Sequence, residues 1–200
     1  MTDMLSCRLI IDAGELWPQA SQADFVQAIQ SGTLPESAFN RWLEQDYLFA
    51  KGLTSAQAVQ AAKTPRPAQS ILIAGLTAMD AELSWFETHA NQRGIDLTVT
   101  PHPVCSRYVD FLLSSAYEKP FEVLLGILFG VEASYFAAWS QLKAEGVYAE
   151  FITRWSSPQF EEYVLGLCQF AHEFEHPQQQ AAFNSVLRHE HDFWRMTWEG

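Results

Sequence analysis

The segment FNRWLEQDYLFAKGL, from Phe39 to Leu53, carries an acid where a helix ought to be apolar. Drawn as a helix, Phe39, Trp42, Leu43, Phe49, Ala50 and Leu53 share one stripe at spacings of three and four residues. Asp46 falls on that stripe. The same pattern recurs in three other segments. Glu190 sits among Val186, Leu187, Phe193 and Trp194; Glu132 among Leu128, Phe129, Tyr135, Phe136 and Trp139; Glu82 between Met79 and Phe86. An unpaired buried carboxylate is costly, so four of them ask for a common reason. The competing reading of any one acid is a helix cap, an ion pair with Arg107 or Arg154, or a place at the stripe's edge.

A pocket walled by aromatics and holding convergent carboxylates explains all four together. Phe39, Trp42, Tyr47, Phe49, Tyr108, Tyr135, Phe136, Trp155, Phe193 and Trp194 are the candidate walls, and ordinary core packing is the alternative for each. Such a pocket suits a flat ligand, cationic or rich in N–H donors. Desolvation would raise a carboxylate's pKa there, which prepares it for general acid–base work near neutral pH.

The elements that must position these residues read as helices. Helical patterning covers roughly residues 22–31, 36–62, 67–93, 103–117, 119–144, 147–155, 158–175 and 177–198. Gly32, Pro65, Pro67, Pro120, Gly146, Pro158 and Pro177 separate them. Only IDLTV, Ile95 to Val99, reads as a strand. The expectation is one all-α domain over residues 1–200, with more helices than a four-helix bundle. The segment FEVLLGILFGVEASYFAAW (Phe121 to Trp139) is nearly all apolar, but it contains Glu122 and Glu132 and barely reaches spanning length. It reads as a central buried helix, with no membrane as partner.

Composition narrows the partners. The chain has 48% apolar and 14% aromatic residues, the profile of a globular protein. Its 24 acidic and 12 basic residues leave a net charge of -12, which disfavours nucleic acid and anionic membranes. Cys7, Cys105 and Cys168 form no C-x-x-C pair, and no leader-like N-terminus is evident, so a reducing cytoplasm is the expected compartment.

GTLPESAFNRWLEQDYLF, the aromatic-rich helix around Tyr135 and the terminal HEHDFWRM together resemble the TenA family, also called thiaminase II. The resemblance implies a haem-oxygenase-like multi-helix bundle, a homodimer or homotetramer, and hydrolysis of aminopyrimidine breakdown products of thiamin. Asp46 then matches the aspartate that bonds the aminopyrimidine edge, and Glu190 the proton-shuttling glutamate of the last helix. Tyr108 and Tyr135 match two pocket tyrosines, while Phe49 and Trp155 stand where many members have tyrosine. The nucleophilic cysteine of many members falls near Val131, and the proline before it reads Gly130. MDAELSWFETHANQRG resembles the branch that lacks this cysteine and relies on glutamates. For that branch the resemblance implies water attack assisted by Glu190 with Glu82 or Glu132, and no cofactor or metal.

Two other classes compete. Glu82 and His89, with Glu132 and His172, Glu175, His176, His189 and His191, could be ligands of a di-iron oxidase, but they do not complete the expected His-x-x-x-Asp-x-x-His set. A binding protein that kept the pocket without the chemistry is the third reading. Haem is disfavoured, because no early amphipathic helix offers a proximal histidine.

Overall fold

The computed structural model describes residues 4–200, and every regular element among them is helical. After a one-turn 3-10 segment at Met4–Ser6 come α1 (Arg8–Ala13), α2 (Leu16–Ser21), α3 (Asp24–Ser31), α4 (Glu36–Lys63) and α5 (Ala68–Arg93). Then follow α6 (Pro103–Glu118), α7 (Phe121–Ser140), a second 3-10 turn at Gly146–Tyr148, α8 (Ala149–Trp155), α9 (Pro158–Glu173) and α10 (Gln179–Glu199). The all-α expectation holds. The strand expected at IDLTV does not form. The Asp96 carboxylate accepts from the Thr98 amide at 2.8 Å and the Thr98 hydroxyl at 2.7 Å, closing an Asx turn where a strand would need an extended backbone.

Two compact units make up the chain: Pro35–Phe121 with Glu199–Gly200, and the stretch up to Leu34 with Glu122–Trp198. The first is built from α4, α5 and α6. Pro35 starts α4 and Pro65 follows its end, as punctuation predicts. Side-chain amides tie α4 to α5: Gln57 donates to the Leu72 carbonyl at 3.0 Å, and Gln69 to that of Ala61 at 2.9 Å. Lys63 closes the end of α6, donating to the carbonyls of Ala116, Tyr117 and Lys119. Gly52 lets α4 approach α6, for a Cβ there would lie 2.5 Å from Val109 Cγ1.

In the other unit α7 is the core helix. Its candidate membrane window is 78% buried inside the protein, which fits a core helix apolar all round. Glycines again permit close approach: Gly126 faces Gln179, and Gly130 faces Phe183 and Val186 of α10. The Gln179 amide donates to the Glu122 carbonyl at 2.8 Å and so pins α10 to the first turn of α7. At the start of α9, Ser157 Oγ accepts from the Phe160 amide and Pro158 occupies the first turn.

Candidate active-site residues

In the α4–α6 unit, Asp46 is buried on α4 at 7% exposure, as its place on the apolar stripe requires. One turn on, Phe49 packs on the buried Tyr108 of α6, with ring centroids 4.6 Å apart. The preceding residue, Gln45, anchors this turn to the start of α6. Its Oε1 accepts from the His102 amide at 2.7 Å, and its backbone carbonyl accepts from the Cys105 thiol at 3.5 Å. Burial pushes the Cys105 thiol up to about 12, and the negative charge of Asp46 adds to the shift. A thiol held neutral in this way is a poor nucleophile.

Tyr47 is turned to other work. Its hydroxyl donates to Glu87 of α5 at 2.9 Å, and Lys51 lies over its ring at 5.4 Å. Burial and then the Glu87 bond push its phenol above the ordinary value. Glu82 is half-buried on α5, one turn before the fully buried Phe86.

In the α7–α10 unit, Tyr135 of α7 lies near-parallel to Trp194 of α10, with centroids 6.0 Å apart and planes 15° apart. Trp155 of α8 meets the Tyr135 ring edge-on at 5.5 Å, and Trp139 lies 5.0 Å from Trp155. Glu132 stands one turn before Tyr135, and Glu190 one turn before Trp194; they are 8% and 4% exposed.

Three facing pairs set the register of these helices: Gly126 with Gln179, Gly130 with Phe183 and Val186, and Tyr135 with Trp194. Numbers rise together, so α7 and α10 run parallel. Interpolation places Glu132 level with Glu190 to within about one turn. Spacings of three and four keep each acid on the face of its aromatic partner. Glu132 and Glu190 thus stand at similar heights on α7 and α10, with Glu190 on the side of α10 that carries Phe183 and Val186 and Glu132 turned roughly 200° about the α7 axis from Gly130. The Trp194 indole N–H is also buried, with no hydrogen-bond partner among the described residues.

The remaining candidates are placed elsewhere. Phe136 packs edge-on against Phe160 of α9 at 5.7 Å. Among the described residues no group of three or more His, Cys, Asp or Glu side chains converges to hold a metal. His172 pairs with Glu175 at 3.4 Å, and Arg8 reaches the same carboxylate at 3.2 Å. The His176 ring accepts from the Gln178 amide, and His191 Nδ1 lies 3.2 Å from the Gln19 carbonyl. Sequence reasoning passed over Gln45, whose anchoring role depends on residues more than fifty positions away and leaves no local pattern.

Known proteins share both sequence and fold with this chain. A soybean (Glycine max) protein named "Probable bifunctional TENA-E protein" is 26% identical over 91% of this chain and 88% of its own. An "Aminopyrimidine aminohydrolase" of Halalkalibacterium halodurans is 24% identical, covering 93% and 92% of the two chains. The solved structure of a TenA homologue from Pyrococcus furiosus superposes with a TM-score of 0.84 at 27% identity, over 96% of each chain. The all-α multi-helix fold is thus that of TenA homologues. The TENA/THI-4/PQQC family model matches residues 12–200, nearly the whole length, and the chain belongs to that family.

Proposed function

We infer that this protein is a hydrolase of aminopyrimidine breakdown products of thiamin, acting on aminomethyl- or formylaminomethyl-pyrimidine through carboxylates and without a cysteine nucleophile. Family membership and the names of the soybean and Halalkalibacterium relatives support the substrate class. The observation that carries the mechanism is the burial of Glu190 one turn before Trp194, whose ring stacks on Tyr135.

In this reading Glu190 takes a proton from water as the new C–O bond forms, and the carbon–nitrogen bond to the leaving group breaks. The departing nitrogen receives the proton, so ammonia leaves from the aminomethyl substrate. On the formylamino substrate, water adds at the formyl carbon, formate leaves, and the aminomethyl pyrimidine remains. Glu132, the buried acid of α7, assists Glu190 in handling the proton. Tyr135 and Trp194 hold the flat ring, and Trp155 backs Tyr135. Within its own unit Asp46 lies one turn before Phe49, which packs on Tyr108, and the family resemblance implies that this aspartate bonds an aminopyrimidine edge. Glu82 is the reserve carboxylate of the α5 segment, and Tyr47 contributes by fixing α4 to α5. We take residues 1–200 as one TenA-like domain that works in the cytoplasm as a homodimer or homotetramer, with no nucleic-acid or membrane partner.

Incubating the purified protein with amino-, formylamino- and thiazolium-methyl pyrimidines tests the reading. Release of ammonia or formate supports it. Tight binding of all three with no product makes the protein a binding protein and removes the hydrolase assignment.

A further inference from the structure

Gln45, the residue before Asp46, is buried on α4 and holds α6 through two of its atoms. Its side-chain oxygen accepts from the amide of His102, the N-cap of α6, at 2.7 Å. Its backbone carbonyl accepts from the thiol of Cys105, in the first turn of α6, at 3.5 Å. Further along, Phe49 packs on Tyr108 and Gly52 admits Val109. Numbers rise together on both helices, so these contacts follow one another along a single α4–α6 seam. Ring packing and methyl contact limit how closely the helices approach, yet both tolerate a small rotation of α4 about its axis. A hydrogen bond of 2.7 Å is directional and does not.

We propose, on the assignment of Asp46 to the aminopyrimidine edge, that Gln45 is a positioning residue: its hydrogen bond from the His102 amide aims the Asp46 carboxylate and so sets the preference for an amino-bearing ring. Neighbouring helical residues turn as one body, so any rotation of Gln45 is a rotation of Asp46. A side-chain tip about 5 Å from the helix axis moves roughly 1.3 Å when the helix turns by about 15°. That displacement exceeds the half-ångström window of a good hydrogen bond. Glutamine suits the task in three ways. It reaches α6, whereas asparagine would withdraw the acceptor by about 1.5 Å. It is neutral, whereas glutamate would set a second acid beside Asp46 and favour protonation of one of them. Its oxygen meets the His102 amide without touching the substrate.

The hydrogen bond can be removed from either end. Gln45→Met keeps the length of the side chain and loses the acceptor. His102→Pro loses the amide hydrogen, and the backbone there (φ −62°, ψ 145°) suits a proline that itself precedes Pro103. His102→Ala is the control. It removes the ring whose Nδ1 accepts from the Val104 amide at 3.2 Å, but it keeps the amide that Gln45 uses.

The experiment titrates each full-length protein with the hydroxymethyl-pyrimidine product, which has no leaving group, and with its analogue bearing hydrogen in place of the ring amine. Calorimetry gives both affinities, and circular dichroism checks the fold. Wild type and His102→Ala should prefer the amino ligand equally. Gln45→Met and His102→Pro should lose about tenfold of that preference through weaker binding of the amino ligand alone. A purely structural role would weaken both ligands together, and that result overturns the proposal. Full preference in folded Gln45→Met and His102→Pro also overturns it, leaving the assignment of Asp46 intact. A wild type that binds both rings alike overturns the Asp46 assignment and the positioning role with it. If Gln45→Met fails to fold, the comparison of His102→Pro with His102→Ala decides the matter.

Discussion

Tyr135 and Trp194 lie near-parallel across the α7–α10 seam with ring centroids 6.0 Å apart, and each has a buried glutamate one turn before it on its own helix. The facing pairs also set Glu132 and Glu190 at similar heights along their helices. Gly126 and Gly130 make that register possible, because side chains at either position would push α10 away.

If Glu132 assists Glu190 in handling the proton, Glu132→Gln should lower kcat about 10–100-fold, toward or below the small end of acid–base contributions. One limb of the bell-shaped pH–rate profile should move or vanish in this variant. A steady-state profile from acid to alkaline pH checks both effects.

Asp46→Asn should raise KM more than it lowers kcat, since it removes a recognition contact common to ground and transition states. The same substitution has a second, independent readout. The Asp46 charge helps to raise the Cys105 thiol pKa, so its loss should lower that pKa and speed alkylation of Cys105 in the folded state. Burial, the larger cause, should still keep the thiol above its ordinary value.

Cys105 also contributes a pH dependence to stability. Its folded-state pKa is raised from 9.0 to about 12, so the folded form holds the proton longer than the unfolded one. The contribution is full below about pH 9 and is lost as pH rises toward about 12. Urea unfolding of wild type and Cys105→Ala across that window should show a shallower alkaline loss in the variant.

Gly52→Ala should cost about 1–3 kcal/mol, because Val109 is β-branched and cannot swing clear of the added methyl group. Thermal unfolding should report this as a Tm lower by roughly 2–4 °C per kcal/mol. An unchanged Tm would mean that α4 and α6 separate at no cost.

Much of this was legible in the chain because prolines and glycines mark the ends of long helices. Pro35 and Pro65 bracket α4, Gly94 follows α5 in the left-handed region, and Pro158 opens α9. The two helices passed over, α1 and α2, have six residues each, too few to display a periodicity, and Pro18 sits inside α2. Asp46, Glu132 and Glu190 stood out as acids on apolar stripes, and all three are buried. Tyr47, expected from the sequence as a pocket wall, donates its hydroxyl to Glu87 of α5 at 2.9 Å. That bond depends on where distant helices come to rest, and no local spacing encodes it.

In the proposed reaction Glu190 of α10, buried beside Trp194, moves the proton during hydrolysis. The most direct measurement of that role is product release from aminomethyl- and formylaminomethyl-pyrimidine by wild type and Glu190→Gln, with substrate affinity measured in parallel. The wild type should turn over, and the Glu190→Gln variant should still bind but be slower by about 10²–10⁴-fold. A Glu190→Gln protein that turns over at the wild-type rate would contradict that role.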